Sequence, residues 1–163
     1  MEFERAGRLE LVGIVSGIVL ILALLFLPWF NLTETDTRIA QDAWICGTGE
    51  YTCTGFETFS IVRWLLIAGA VAPAILAYVL MRSHKLSWAP GEMTMVVGFI
   101  LAVLITYNGL IAKPLPDNQV EFGTSLDIGY YVALLAAVVV GVTGYMRSLE
   151  TGARQGRKAP GTV

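Results

Sequence analysis

Cys46 and Cys53 are the only two cysteines of this 163-residue chain, and both fall in its longest polar segment. Around them the sequence reads Trp-Ile-Cys-Gly-Thr-Gly-Glu-Tyr-Thr-Cys, so β-branched and aromatic residues flank a glycine-bearing turn. This pattern predicts a β-hairpin that places the two cysteines opposite each other. A disulfide between them would stabilise the segment by about 2.5 kcal/mol through the entropy of the closed loop.

A redox-active thiol pair is the alternative chemistry for these cysteines. Six residues separate them, whereas the motifs of thiol oxidoreductases place two residues between their cysteines. The sequence also contains no second cysteine pair that could relay electrons. The spacing therefore favours a structural disulfide, and a membrane thiol–disulfide oxidoreductase using Cys46 and Cys53 is kept as an alternative function.

Arg63 lies in the first turn of the second apolar stretch, and Asp127 directly precedes the fourth on the same predicted side of the membrane. A cation in the first turn of a helix faces the unfavourable end of the helix dipole, so Arg63 is expected to pair with a carboxylate. We predict an ion pair with Asp127. No Asp, Glu, Lys or His lies near the centre of any apolar stretch, although proton-coupled transport normally requires one.

The sequence contains no cluster typical of a metal site, no glycine-rich phosphate loop and no nucleophile elbow. We therefore predict no catalytic residue, no metal and no cofactor. A channel or small-solute transporter is the second alternative function, and it would require a polar lumen that these apolar stretches do not provide.

Four apolar stretches must position these residues, and each is about 20 residues long, the length of a membrane-spanning helix. They cover residues 11–30, 61–81, 93–112 and 128–146. The predicted fold class is all-α membrane: a four-transmembrane-helix bundle with a small disulfide-pinned outer loop, residues 31–59, that contains the hairpin. Residues 1–148 would form this transmembrane domain, and residues 149–163 a disordered cytoplasmic tail that contains Gly, Arg and Pro.

The charges on the connecting segments predict the orientation. Eight basic residues lie at the two termini and in the connection between the second and third stretches, whereas acidic residues dominate the other two connections. Lys and Arg are retained on the cytoplasmic side. We therefore expect a multi-pass protein of the plasma (cytoplasmic) membrane with both termini in the cytoplasm and the 31–59 loop outside.

Small residues recur at four-residue spacing on the apolar stretches, which places them on one helix face where backbones can approach closely in lipid. The predicted packing residues are Gly13, Gly17, Ala68, Ala72, Gly98, Ala102, Ala133, Ala137 and Gly141. These faces are expected to pack the four spans together, and self-association through one of them is the alternative.

The pattern resembles the claudin and peripheral-myelin-protein superfamily, which has four spans, cytoplasmic termini and a large first outer loop. Pro28-Trp29 would match the tryptophan that follows the first span of that superfamily, and Trp44 would match the second tryptophan, before the disulfide-bonded cysteines. Arg63 could correspond to the arginine before the second span. The chain is also similar to small four-span actinobacterial membrane proteins of unknown function, many of which carry Leu-Pro-Trp at the end of the first span. The resemblance implies a four-span fold.

These observations together predict a non-enzymatic membrane protein that acts as a structural or accessory subunit, or partner-binding element, of a cell-envelope complex. Its expected partners are the lipid bilayer and other membrane protein subunits or further copies of itself, and no nucleic acid.

Overall fold

The structure is a computed structural model that describes residues 2–32, 52–81, 90–112 and 124–155. The described elements run in the order α1 (Glu2–Phe26), β1 (Pro28–Leu32), β2 (Thr52–Thr54), α2 (Gly55–Thr58), α3 (Val62–Met81), α4 (Pro90–Thr106), β3 (Thr124–Leu126) and α5 (Ile128–Gln155). A single π-helical turn, Tyr107–Ile111, continues α4. Most of the predicted hairpin, including Cys46, lies outside the described residues.

Four of the described helices are long and apolar enough to cross a membrane, which confirms the predicted number of spans. The apolar segments are Gly7–Phe26, Val62–Leu80, Gly91–Ile111 and Ile128–Glu150. Within the bundle, α5 packs against both α1 and α4, and α3 packs against α1 and α4. The first residues of α1 and the last turns of α5 lie at the same end of the bundle, where Arg147 forms a salt bridge with Glu10.

Two predicted boundaries are wrong. The first span was expected to reach residue 30, but α1 ends at Phe26. Pro28 has no N–H to donate to the preceding turn, and its ring pushes Leu27 out of the helical conformation. At the other terminus, α5 continues to Gln155, so residues 149–155 are helical rather than disordered. No proline lies between Ile128 and Gln155, so the helix continues from its apolar segment into polar residues.

A three-stranded antiparallel sheet, which we call the cap sheet, closes one end of the bundle. Its strand order is β2-β1-β3, so the strand that directly follows α1 is central. Phe30 lies opposite Cys53 on one side and Leu126 on the other, which places residues from the connections before α3 and before α5 beside the end of α1. The sequence predicted a hairpin within residues 44–53, and of that segment the structure describes Thr52 and Cys53, on β2, paired with β1.

Glycines set the distances between the helices. A Cβ atom added to Gly98 on α4 would lie 2.2 Å from the backbone nitrogen of Gly141 on α5, and one added to Gly17 on α1 would lie 2.2 Å from the carbonyl oxygen of Ala70 on α3. Real atoms do not approach this closely, so the helix backbones are in direct contact at these positions. Close backbone approach of this kind is how helices associate in lipid.

Candidate functional site

A β-bulge at Trp29 joins the cap sheet to the bundle. The register shifts between Pro28 and Phe30, so Trp29 is an extra residue on β1. Side chains normally alternate between the two faces of a strand, but a bulge allows two consecutive residues to point the same way. Trp29 and Phe30 are both buried as a result, at 0% and 1% exposure. The structure thus places both rings in the core of the protein.

The indole of Trp29 is fixed on several sides. Its Nε1–H donates a hydrogen bond of 2.8 Å to the carbonyl of Ala23, in the last turn of α1, where helix carbonyls lack partners within the helix. Its ring makes edge-to-face contacts with Phe59 and Tyr130, with centroid separations of 5.7 and 6.2 Å. Gly55 and Gly129 lie so close to the ring that a Cβ atom on either would overlap it. The start of β1 therefore has little freedom to move relative to the helices.

The π-helical turn at the end of α4 brings a further glycine to this cluster. Gly109 lies directly against the ring of Tyr130. A Cβ atom added to Gly109 would lie 2.1 Å from Cε2 of that ring, so only glycine fits there. The side-chain amide of Asn108 donates a hydrogen bond of 2.8 Å to the backbone carbonyl of Leu104. This bond gives the carbonyl of Leu104 a donor partner where the helix changes from α to π hydrogen bonding. Helices α1 and α5 and the turn that continues α4 thus contribute to the base of the cap sheet.

Arg63 does not pair with Asp127, which corrects the ion pair expected from the sequence. The Arg63 guanidinium donates to the carbonyl of Phe56 at 3.1 Å and lies 4.6 Å from the centroid of the Phe56 ring and 5.6 Å from that of Trp64. Within the described part of the chain, no acceptor reaches its buried Nε. A carbonyl and two aromatic faces therefore hold this cation where a carboxylate was expected.

Asp127 instead links β3 to α5. Its Oδ1 accepts a hydrogen bond of 2.6 Å from the backbone nitrogen of Ile128, the first residue of α5. A carboxylate at this position also interacts favourably with the positive end of the helix dipole. Its own backbone nitrogen donates to the carbonyl of Trp29 at 2.9 Å. Asp127 thereby fixes the start of α5 against the bulge.

The short helix α2, between β2 and α3, carries its own cap. Thr54 accepts from the backbone nitrogen of Glu57, and the Glu57 carboxylate accepts in turn from the backbone and hydroxyl of Thr54. This reciprocal arrangement is a capping box, which satisfies donors that a helix start leaves unpaired. It orients Phe56 so that its ring and carbonyl meet Arg63.

The cap sheet has one buried face and one exposed face. Phe30, Cys53 and Leu126 share a cross-strand row that packs on the helices. One residue further along, Asn31 lies opposite both Thr52 and Ser125, and all three are exposed. The exposed row is polar and crosses all three strands, so this face offers hydrogen-bonding side chains on a backbone that the bulge holds in place. We call Asn31, Thr52 and Ser125 the polar row.

Cys53 is fully buried on the inner face of the cap sheet, and the described part of the chain contains no free cysteine. Its predicted partner, Cys46, lies outside the described residues, so their pairing stays a prediction.

A second polar cluster lies inside the opposite end of the bundle. Glu10 and Arg147 form a salt bridge between α1 and α5, with 28% and 18% of their side chains exposed. They border a cavity of about 10 Å³, close to the minimum that holds one water molecule, together with the hydroxyls of Thr94 and Thr143. This ion pair was not predicted from the sequence.

The predicted packing residues occupy different environments. Buried positions at helix contacts include Gly13, Gly17, Gly98, Ala133 and Ala137. Ala102 and Gly141 are partly buried, and Gly141 faces Gly98 across the contact between α4 and α5. Ala68 is exposed, so the small-residue pair expected on α3 does not lie wholly within a helix contact.

Gly144 and Gly91 were missing from the predicted set of packing residues. A Cβ on Gly144 would lie 2.3 Å from the backbone nitrogen of Met95, and one on Gly91 would lie 2.6 Å from that of Ser148. Both belong to the contact between α4 and α5. Gly91, Thr94 and Gly98 are three and then four residues apart, which places them on one helix face. This spacing could have identified Gly91 from the sequence.

Searches against family models, curated proteins and solved structures found no match to this chain.

Proposed function

We propose that this protein is a non-enzymatic structural or accessory subunit of a cell-envelope complex. In this proposal it lies in the plasma membrane with both termini in the cytoplasm, and its cap sheet binds a partner outside. The observation that carries the proposal is the polar row on a sheet to which both outer connections contribute. Because the Trp29 bulge fixes this sheet to the spans, a partner that docks there would meet a pre-organised surface and lose little conformational entropy.

The proposed orientation is supported by the positions of the charges. The end of the bundle that contains Arg8 and Arg147 is opposite the cap sheet, and the basic residues of the sequence concentrate at that end and in its connecting segment. Basic residues favour the cytoplasmic side. The cap sheet would then face the compartment in which disulfides persist.

We also propose that Cys46 and Cys53 form a structural disulfide across the cap. The complete burial of Cys53 supports a structural role, because reactive cysteines require access to their thiol partners. It argues equally against a thiol–disulfide oxidoreductase. A disulfide here would tie the end of β2 to the remainder of the 31–59 loop and limit the unfolded states of the cap.

Co-purification in mild detergent tests the proposed role. The full-length tagged chain would be isolated from its native host alongside Asn31→Arg, which places a long cation in the centre of the polar row. Glu92→Gln is the matched control, since it changes the net charge by the same amount at an exposed position at the opposite end of the bundle. We expect Asn31→Arg to lose a stoichiometric partner that the wild type and Glu92→Gln retain. An identical set of co-purifying proteins for all three would contradict the proposal.

A further inference from the structure

An open groove of about 390 Å³ lies between α1 and α5 at the end of the bundle opposite the cap sheet. Leu9, Met146 and Leu149 provide its apolar wall, and Arg8 and Glu150 provide its charged groups. Its volume is within the range of small-molecule sites in proteins. The apolar segments of these two helices begin at Gly7 and end at Glu150, so the charged pair lies where a span meets the membrane surface.

Neither charge in this groove forms a salt bridge with another described residue. Among the described residues, no salt bridge joins Arg8 to Glu150 or either of them to a third residue, and the neighbouring Arg147 pairs with Glu10. The groove therefore presents one cation and one carboxylate above an apolar wall. A ligand that complements all three features carries an anionic group, a cationic group and a hydrocarbon segment.

We propose that the groove binds a phospholipid with a primary-amine zwitterionic headgroup, phosphatidylethanolamine, from the leaflet at the termini. Its phosphate contacts Arg8, whose guanidinium offers several N–H donors to phosphate oxygens. Its ammonium donates to the Glu150 carboxylate, and the first part of an acyl chain lies on Leu9, Met146 and Leu149. The site does not depend on the proposed docking role of the cap sheet.

Other common phospholipids match the groove less well. Phosphatidylcholine carries the same two charges, but its quaternary ammonium has no N–H to donate to Glu150. Phosphatidylglycerol would satisfy Arg8 but leaves the carboxylate facing a negatively charged headgroup without a counter-charge, which costs binding energy. The expected order of affinity is phosphatidylethanolamine first, and the other two below it.

Native mass spectrometry of the delipidated full-length protein in detergent tests the site with the three lipids carrying identical acyl chains. We expect phosphatidylethanolamine to bind most tightly, and Arg8→Gln to weaken its binding about tenfold, as expected for the loss of one charge-assisted hydrogen bond. Glu150→Gln should remove the preference for phosphatidylethanolamine over phosphatidylcholine. Both variants alter surface side chains, and circular dichroism of each should match that of the wild type.

Glu92→Gln is the control, because it removes a carboxylate that is exposed near the same membrane surface but does not line the groove. It should bind all three lipids as the wild type does. Equal binding of the three lipids by the wild type would overturn the proposal, as would tighter binding of phosphatidylglycerol. Retention of the full preference for phosphatidylethanolamine in both groove variants would also overturn it.

Discussion

The contact between Gly98 and Gly141 makes a sharp prediction, because the same substitution should have opposite consequences on its two sides. An alanine Cβ at Gly98 would lie 2.2 Å from the nitrogen and 2.4 Å from the Cα of Gly141. An alanine Cβ at Gly141 would lie no closer than 3.6 Å to any atom across the contact, which is an ordinary van der Waals distance. The asymmetry arises because each Cα–Cβ bond has its own direction relative to the facing helix.

The magnitudes follow from this geometry. At Gly98 the obstacle is backbone, which cannot rotate away, so α4 and α5 would have to separate by about 1 Å and would lose part of their dispersion contacts. Overpacking of this kind costs about 1–3 kcal/mol, and direct backbone overlap belongs at the upper end. At Gly141 the new methyl fits, and replacing glycine by alanine within a helix contributes up to about 1 kcal/mol of stability. We expect the two variants to differ by about 3 kcal/mol.

Unfolding by sodium dodecyl sulfate in mixed micelles, followed by circular dichroism and tryptophan fluorescence, measures this difference. Gly98→Ala should unfold at a markedly lower detergent fraction than the wild type, and Gly141→Ala at the same fraction or a higher one. Free energies of unfolding of Gly98→Ala and Gly141→Ala that agreed within about 0.5 kcal/mol, the range typical of surface substitutions, would contradict this prediction.

Three further predictions concern the two ends of the bundle. Trp29→Phe removes the indole hydrogen bond to Ala23 and part of a buried ring, so it should lower the free energy of unfolding by about 2 kcal/mol in the same assay. Glu10→Gln removes the carboxylate charge that pairs with the partly buried Arg147 and should destabilise the protein by about 1 kcal/mol; adding Arg147→Gln should recover part of that loss if the two side chains are coupled. Cys53→Ser should lower the thermal stability of the cap but leave membrane insertion unchanged, whereas failed insertion would show that the spans depend on the cap.

The four spans could be predicted from the sequence because a membrane-spanning helix is recorded in one continuous apolar segment. Pro28 does not allow a regular continuation of the helix and so indicates where α1 ends. The prediction was nevertheless wrong, because the apolar side chains of Trp29 and Phe30 made a strand resemble the last turn of a span. Hydropathy does not separate a buried strand from a buried helix over so few residues.

The cap sheet could not be predicted because its strands come from distant parts of the sequence. Asn31 accepts a hydrogen bond from the hydroxyl of Ser125, 94 residues away. Three-residue strands such as Thr52–Thr54 and Thr124–Leu126 carry too little periodicity to be recognised alone. Their pairing depends on how the spans bring the connections together.

The charged residues illustrate a similar limit. Arg63 was expected to pair with a carboxylate, but its guanidinium instead contacts the carbonyl and the ring of Phe56 on α2. The sequence alone does not show where Phe56 points. The pairing of Glu10 with Arg147 requires α1 and α5 to be neighbours, which the sequence does not reveal. Which helices become neighbours is decided by glycine contacts that depend on side-chain direction as well as on spacing.

A photo-crosslinking amino acid at Asn31, in the centre of the polar row, tests whether the cap sheet is a docking surface for a partner protein. The experiment is carried out in living cells with the full-length chain, and Leu135, which is 69% exposed on α5 between the two ends of the bundle, serves as the lipid-facing control. The proposed function predicts one discrete protein adduct from Asn31 that is absent from Leu135. The same adducts from both positions, or none from Asn31, would contradict the claim that the cap sheet is a docking surface.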